Sequence, residues 1–197
     1  MAINLYQRNS GVSNTLSYLA PNVCGQMGII FVGIRAGIIP SSVTDTNNNL
    51  WVLVNSTSTN VGDVAFFICL SLVAGVNTVT VNGTSAAANF ILTEFTAPIG
   101  VQTLNGPQNV GNDFTSLASY FNSSSSFQHV LLVGSFANAG NPTWSCSATI
   151  VDQTHDSINN NSTVLAMLSS SAALNTITFT ATPTQSSAFI LGLVLNG

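Results

Sequence analysis

The clearest pattern along the chain lies between Asp63 and Phe95, where two nearly continuous apolar runs flank one alternating segment. Asn77-Thr78-Val79-Thr80-Val81-Asn82 alternates polar and apolar positions, which predicts a strand with one face buried and the other wet. Val64–Leu72 and Asn89–Phe95 are apolar almost throughout, which predicts strands covered on both faces. Gly75 and Asn82-Gly83 punctuate the joins. The same order returns near the C-terminus over Val164–Leu168, Asn175–Ala181 and Ala188–Leu195. There, Leu174-Asn175-Thr176-Ile177-Thr178-Phe179 echoes Val76-Asn77-Thr78-Val79-Thr80-Val81 about 98 positions on. Val130-Leu131-Leu132-Val133-Gly134 likewise echoes Ile29-Ile30-Phe31-Val32-Gly33, offset by about 101.

Elsewhere the pattern predicts an edge strand over Val12–Leu19, a buried strand over Gly28–Ile34 and a hairpin over Val43–Val54 turning at Asp45–Asn49. A strand around Trp144 follows over Thr143–Val151. Arg35–Ser42, Asn55–Gly62 and Asp152–Asn161 read as loops, Ser123–Ser126 as a turn, and Phe114–Phe121 as either helix or strand. About ten strands with almost no helical periodicity predict an all-β fold. Each half alone has only about five strands and would expose a broad apolar face. The expectation is therefore a single β-sandwich of jelly-roll or Greek-key type with two pseudo-repeated halves. Residues 1–26 are expected to be an N-terminal lead-in or arm, and 27–197 the sandwich. Its halves span 27–97 and 128–197, with a crossover over 98–127 that is irregular from Pro98 to Asp113.

Composition narrows the setting. Of 197 residues 46% are apolar, ample for a core, but only 4% are charged, against roughly 25% in an ordinary soluble domain. There is no Lys, and Arg8 and Arg35 are the only cations, so no nucleic-acid partner is expected. The longest apolar run, Ala65–Val76, is broken by Ser71 and Gly75 and is too short for a helical span of about 20 residues, and strict barrel alternation is missing, so no membrane partner is expected either. The N-terminus lacks the basic start and apolar stretch of a secretory signal. This fits a protein that leaves its host by lysis inside a particle, or a mature or cloned fragment. A surface of Ser, Thr, Asn and Gln suits close protein–protein packing with little charge to desolvate, and also contact with neutral sugars.

No stretch carries a catalytic, cofactor-binding or metal-binding motif, and none of these sites is expected. Asp45-Thr46-Asn47-Asn48-Asn49 resembles half of a calcium loop but lacks its glycine and distal Glu, so a turn explains it better. Asp152-Gln153-Thr154-His155-Asp156 sets a His between two carboxylates with no accompanying nucleophile, which reads as a solvated loop. Glu94 is the only Glu; glycoside hydrolysis would need a second carboxylate, from Asp63 or Asp113, about 5–10 Å away. His129 reads as a strand-boundary residue. Asn55, Asn82, Asn122 and Asn161 begin glycosylation sequons of the kind that chance produces in a chain this rich in Asn, Ser and Thr. Trp51, Trp144, Tyr18 and Tyr120 offer a sugar-stacking platform, though the two Trp sit in echoing segments, which favours core packing. Cys24, Cys69 and Cys146 are too widely spaced for a zinc site and read as free thiols, with one disulfide as the alternative.

Several pieces together resemble a known family pattern: the buried strand Gly28–Ile34, the segment Thr44-Asp45-Thr46-Asn47-Asn48-Asn49-Leu50-Trp51, the segment Gly75-Val76-Asn77-Thr78-Val79-Thr80-Val81, and Leu92-Thr93-Glu94-Phe95. They are similar to β-sandwich or jelly-roll modules of phage virion proteins and bacterial surface proteins. The resemblance spans most of the chain, rests on turns and strands, and carries over no catalytic residue. It implies a non-enzymatic structural protein of a virus particle, foremost a bacteriophage capsid decoration protein at the capsid surface. Its partners would be the major capsid protein, other virion subunits and copies of itself, with a trimer as the expected symmetry. The alternative is a carbohydrate-binding or receptor-binding module of a phage tail or of a bacterial cell-surface protein.

Overall fold

The computed structural model describes residues 3–34, 40–58, 62–84, 88–96, 100–104, 114–122, 129–137, 141–171, 174–185 and 188–196. Every regular element among them is a strand. The first half holds β1 (Leu5–Ser13), β2 (Thr15–Ser17), β3 (Met27–Ile34), β4 (Ser42–Asp45), β5 (Val52–Ser58), β6 (Asp63–Cys69), β7 (Thr78–Asn82) and β8 (Ala88–Phe95). The second half repeats the series with β9 (Gly100–Leu104), β10 (Phe114–Asn122), β11 (His129–Ala137), β12 (Thr143–Cys146), β13 (Thr149–Asp156), β14 (Asn161–Ser170), β15 (Leu174–Gln185) and β16 (Ala188–Asn196).

The sheet orders make the repeat explicit. One five-stranded antiparallel sheet runs β1-β8-β3-β6-β5 and the other β9-β16-β11-β14-β13; the three-stranded sheets run β2-β7-β4 and β10-β15-β12. Adding eight to each strand number of the first half gives the second. The echo in the sequence is thus a duplication of strand pairing, and the fold is all-β and sandwich-like.

Side-chain alternation explains the stacking. On β3, Met27, Ile29 and Phe31 point to one face and Ile30, Val32 and Ile34 to the other, and all six are buried. The second set packs with Val43, Val79 and Val81 of the three-stranded sheet. The first set joins Val130, Val151, Leu165, Leu191, Leu193 and Leu195 of the other half. A third cluster sets Val164, Ala166, Ile190 and Val194 against Trp144, Ile177, Phe179 and Ala181. The molecule is four layers of sheet with three apolar seams, and the two five-stranded sheets lie inside. That is why β3, β6 and β8 are buried at every position while β7 is buried only at Val79 and Val81.

The halves meet with approximate two-fold logic. β8 rests on β13, and its counterpart β16 rests on β5. At the centre, Gly134 of β11 lies under the Phe31 ring, so close that an added Cβ would collide with it. Polar contacts close the rim: Asn55 donates to the Gly192 carbonyl at 3.1 Å and Asn89 to the Asn161 carbonyl at 3.2 Å.

Several expectations are corrected. Residues 3–26 are not a free arm: β1 pairs with β8 along its length, and β2 pairs with β7. The stretch from Pro98 to Asp113, expected to be irregular, contains β9, while Phe114–Asn122 takes the strand form of its two alternatives; residues 105–113 and 123–128 lie outside the described residues. Asp45–Asn49 does not turn a hairpin. β4 pairs with β7 and β5 with β6, so the segment carries the chain from one sheet to the other. The polar loop expected over Asp152–Asn161 is strand up to Asp156 and again from Asn161, with a tight turn between. The all-β, sandwich-like expectation holds, but the described residues contain sixteen strands rather than about ten, arranged as four sheets.

Candidate functional site

The acidic residues serve turns and loops. The Asp45 carboxylate accepts hydrogen bonds from the backbone amides of Asn47 (3.1 Å) and Asn49 (2.9 Å), the Asn49 amide side chain (2.7 Å), Trp51 Nε1 (2.8 Å) and Asn77 Nδ2 (3.0 Å). Burial alone would raise its pKa, but the donors from Asn49, Trp51 and Asn77 outweigh burial and hold it below the ordinary carboxylate value. Asn48 takes the left-handed conformation, φ 55°, that an Asn tolerates in such a turn. The Asp45 carboxylate that suggested half a calcium loop is thus occupied by donors of its own segment and by Asn77.

Asp156 does the same work at the β13–β14 turn. It accepts from the Ile158 and Asn159 amides at 2.8 and 3.1 Å and from Asn159 Nδ2 at 2.6 Å, and Asn160 has φ 54°. Burial again pushes upward, and the Asn159 and Ile158 donors with the nearby His155 bring the pKa below its ordinary value. His155 Nδ1 lies 2.9 Å from Ser162 Oγ, its cross-strand neighbour, but Ser162 is buried and presents no nucleophile. Asp152 faces Arg8 at 3.8 Å across an exposed gap, a pair worth little.

Glu94 is fully buried on β8. It accepts from Asn22 Nδ2 and the Val23 amide, each at 2.8 Å, and from Gln7, so it fastens the β2–β3 connection to β1 and β8. Its expected partner Asp63 is at the far end of β3: Glu94 pairs opposite Gly28 and Asp63 opposite Ile34. Six residues of strand separate them by roughly 20 Å, far beyond any glycosidase spacing. Asp113, the other candidate, and the side chains of His129 and Tyr120 lie outside the described residues. Among the described residues no three His, Cys, Asp or Glu gather as a metal site.

Among the described residues, Trp51, Trp144 and Tyr18 do not assemble into an aromatic platform. Trp51 is 8% and Trp144 6% exposed, in separate cores, and Tyr18 is buried with its hydroxyl on the Thr93 carbonyl at 3.2 Å. Burial first, and the Glu94 charge second, push the Tyr18 pKa well above its ordinary value. Of the sequon asparagines, Asn55 and Asn161 are buried. All three cysteines are free; Cys24 is exposed, Cys69 buried and Cys146 half-buried, and burial raises the latter two thiols.

What the structure brings together, and the sequence did not announce, is an apolar end on the first half. The connections 18–26, 46–51 and 70–77 all leave the sheets there and are laced to one another. Leu72 N donates to Gln26 O at 2.7 Å, Gly25 N to Leu72 O at 3.0 Å and Val73 N to Asn49 Oδ1 at 2.7 Å, and Asn22 bridges Gly75. From this frame project Leu19, Leu50, Leu70 and Val76, each more than 60% exposed, with Val23, Val52 and Val73 beside them. Leu50, Val52, Ile68 and Leu70 line an open groove of about 290 Å³. None of the three connections contains Asp, Glu, Lys, Arg or His. An exposed apolar cluster of this kind is a candidate contact surface.

No protein-family model and no curated protein matches the chain. Among solved structures, it is similar to an anti-sigma factor domain-containing protein at 10% identity over 91% of this chain and 78% of that one. The TM-score of that pair is 0.24, which supports no argument about fold or function.

Proposed function

We propose that this chain is a non-enzymatic structural protein of a virus particle, a bacteriophage capsid decoration protein that binds the major capsid protein or other virion subunits at the particle surface. The observation that carries the reading is the apolar end of the first half, whose three connections contain no charged residue. A four-layer block that ends in exposed Leu and Val suits adhesion to a neighbouring subunit, because burying those side chains is favourable and the bordering Asp45 carboxylate is already held by its own loop's donors. The strand order β1-β8-β3-β6 over β2-β7-β4 supports the jelly-roll form of the sandwich expected for such modules. The carboxylates of Asp45, Glu94 and Asp156 are each occupied in holding a turn, a loop or a strand in place, in keeping with a scaffold. The burial of both indoles and of Tyr18 counts against the carbohydrate alternative.

The test is gradient fractionation of the source material, probed with an antibody to this chain. Co-sedimentation with nucleic-acid-containing particles, in many copies per particle and released only on particle disruption, is the expected result. Recovery of the chain wholly in the soluble or cell-envelope fractions would overturn the proposal.

A further inference from the structure

We infer that the apolar end is a self-complementary contact through which two copies of this chain pair. The inference rests on the reading of that end as a packing surface and goes on to name what covers it. Two observations favour a second copy over an unlike partner. First, the three connections carry no charged residue and the bordering Asp45 carboxylate is held by its own loop's donors, so there is little charge for an unlike partner to complement and little repulsion when the surface meets itself. Second, the exposed parts of Leu19, Val23, Leu50, Leu70, Val73 and Val76 amount to something on the order of 600 Å², close to the roughly 800 Å² that each partner contributes to a standard interface. The Asn and Gln side chains around them can supply a polar rim.

A self-matching patch closes as a two-fold pair and stops. A trimer would need two different matching patches on each copy.

The experiment is sedimentation equilibrium of the full chain from low to high micromolar concentration. Three proteins are compared: the wild type, the double variant Leu50→Asp/Leu70→Asp, and Ile158→Asp. Ile158 is 90% exposed at the β13–β14 turn, away from this end, and serves as the control. The expected result is twice the chain mass for the wild type and for Ile158→Asp, and the single-chain mass for the double variant, which keeps the same far-ultraviolet spectrum. Because both leucines are already largely exposed, the double variant should fold. A monomeric wild type at every concentration, a trimer, or a double variant that still pairs would overturn the inference. A monomer that still co-sediments with particles would remove the pairing and leave the structural role standing; a dimer absent from particles would do the reverse.

Discussion

At the scale of single residues, two tryptophans in similar burial differ in one hydrogen bond. Trp51 donates to Asp45 at 2.8 Å, while the buried Nε1 of Trp144 has no partner. An unmade buried hydrogen bond already costs free energy in the native state, so removing that N–H loses little. Trp51→Phe should therefore destabilise more than Trp144→Phe, by about 1 kcal/mol, read from urea midpoints. Asp45 gives a second residue-scale prediction. Its pKa is lowered on folding, so its ionised form stabilises the native state fully above the unfolded value near about pH 3.9. That contribution is lost as pH falls through the folded value. Asp45→Asn should cost about 1–2 kcal/mol at neutral pH and progressively less as pH falls below about 4. A urea series stepped from neutral pH to about pH 2 checks this; an unchanged gap between variant and wild type across the series would disprove it.

At the scale of elements, the N-terminal segment shows what pattern alone misses. Leu5–Ser13 is half-buried with an irregular alternation, and its partner β8 lies more than seventy residues away, so nothing local marks it as a sheet member. In the structure it fills one edge of a five-stranded sheet and also rests on β13 of the other half. Deleting residues 1–13 should leave the β8 edge unpaired and uncover part of the seam, giving an insoluble or largely unfolded chain. A soluble product with the wild-type melting temperature would show that β1 is dispensable. The strands β3, β6 and β8 were legible because burial on both faces writes continuous apolar runs, and β7 because one-sided burial writes alternation. Asp45–Asn49 was legible as a turn but not as a crossing between sheets, since the same left-handed Asn and Asp-capped amides serve either connection. The apolar end was illegible for a related reason. Leu19, Leu50 and Leu70 are single exposed residues in three separate segments, and only the sheet order gathers them.

At the scale of the whole molecule, the question is whether the two halves are one cooperative unit or two. Either half alone would expose a five-stranded face: Ile29, Phe31, Phe66, Ile91 and Phe95 on one side, Leu165, Leu191, Leu193 and Leu195 on the other. A seam of that size couples the halves, since unfolding one strips cover from the other. Phe31 over Gly134 is the tightest point of the seam, where the central strand of each inner sheet meets the other. Gly134→Ala must therefore push the ring or the sheets apart, at a cost of about 1–3 kcal/mol, although the substitution would be harmless in an open strand. The two tryptophans make the consequence visible half by half, because Trp51 reports the first half and Trp144 the second. In each of the Trp144→Phe and Trp51→Phe backgrounds, the transition of the remaining indole should coincide with the far-ultraviolet transition of the same protein, and Gly134→Ala should lower the midpoint in both backgrounds. If Gly134→Ala shifted only the Trp144 transition, the halves would be separately stable sandwiches resting on one another. The seam would then be an interface between two domains rather than the core of one.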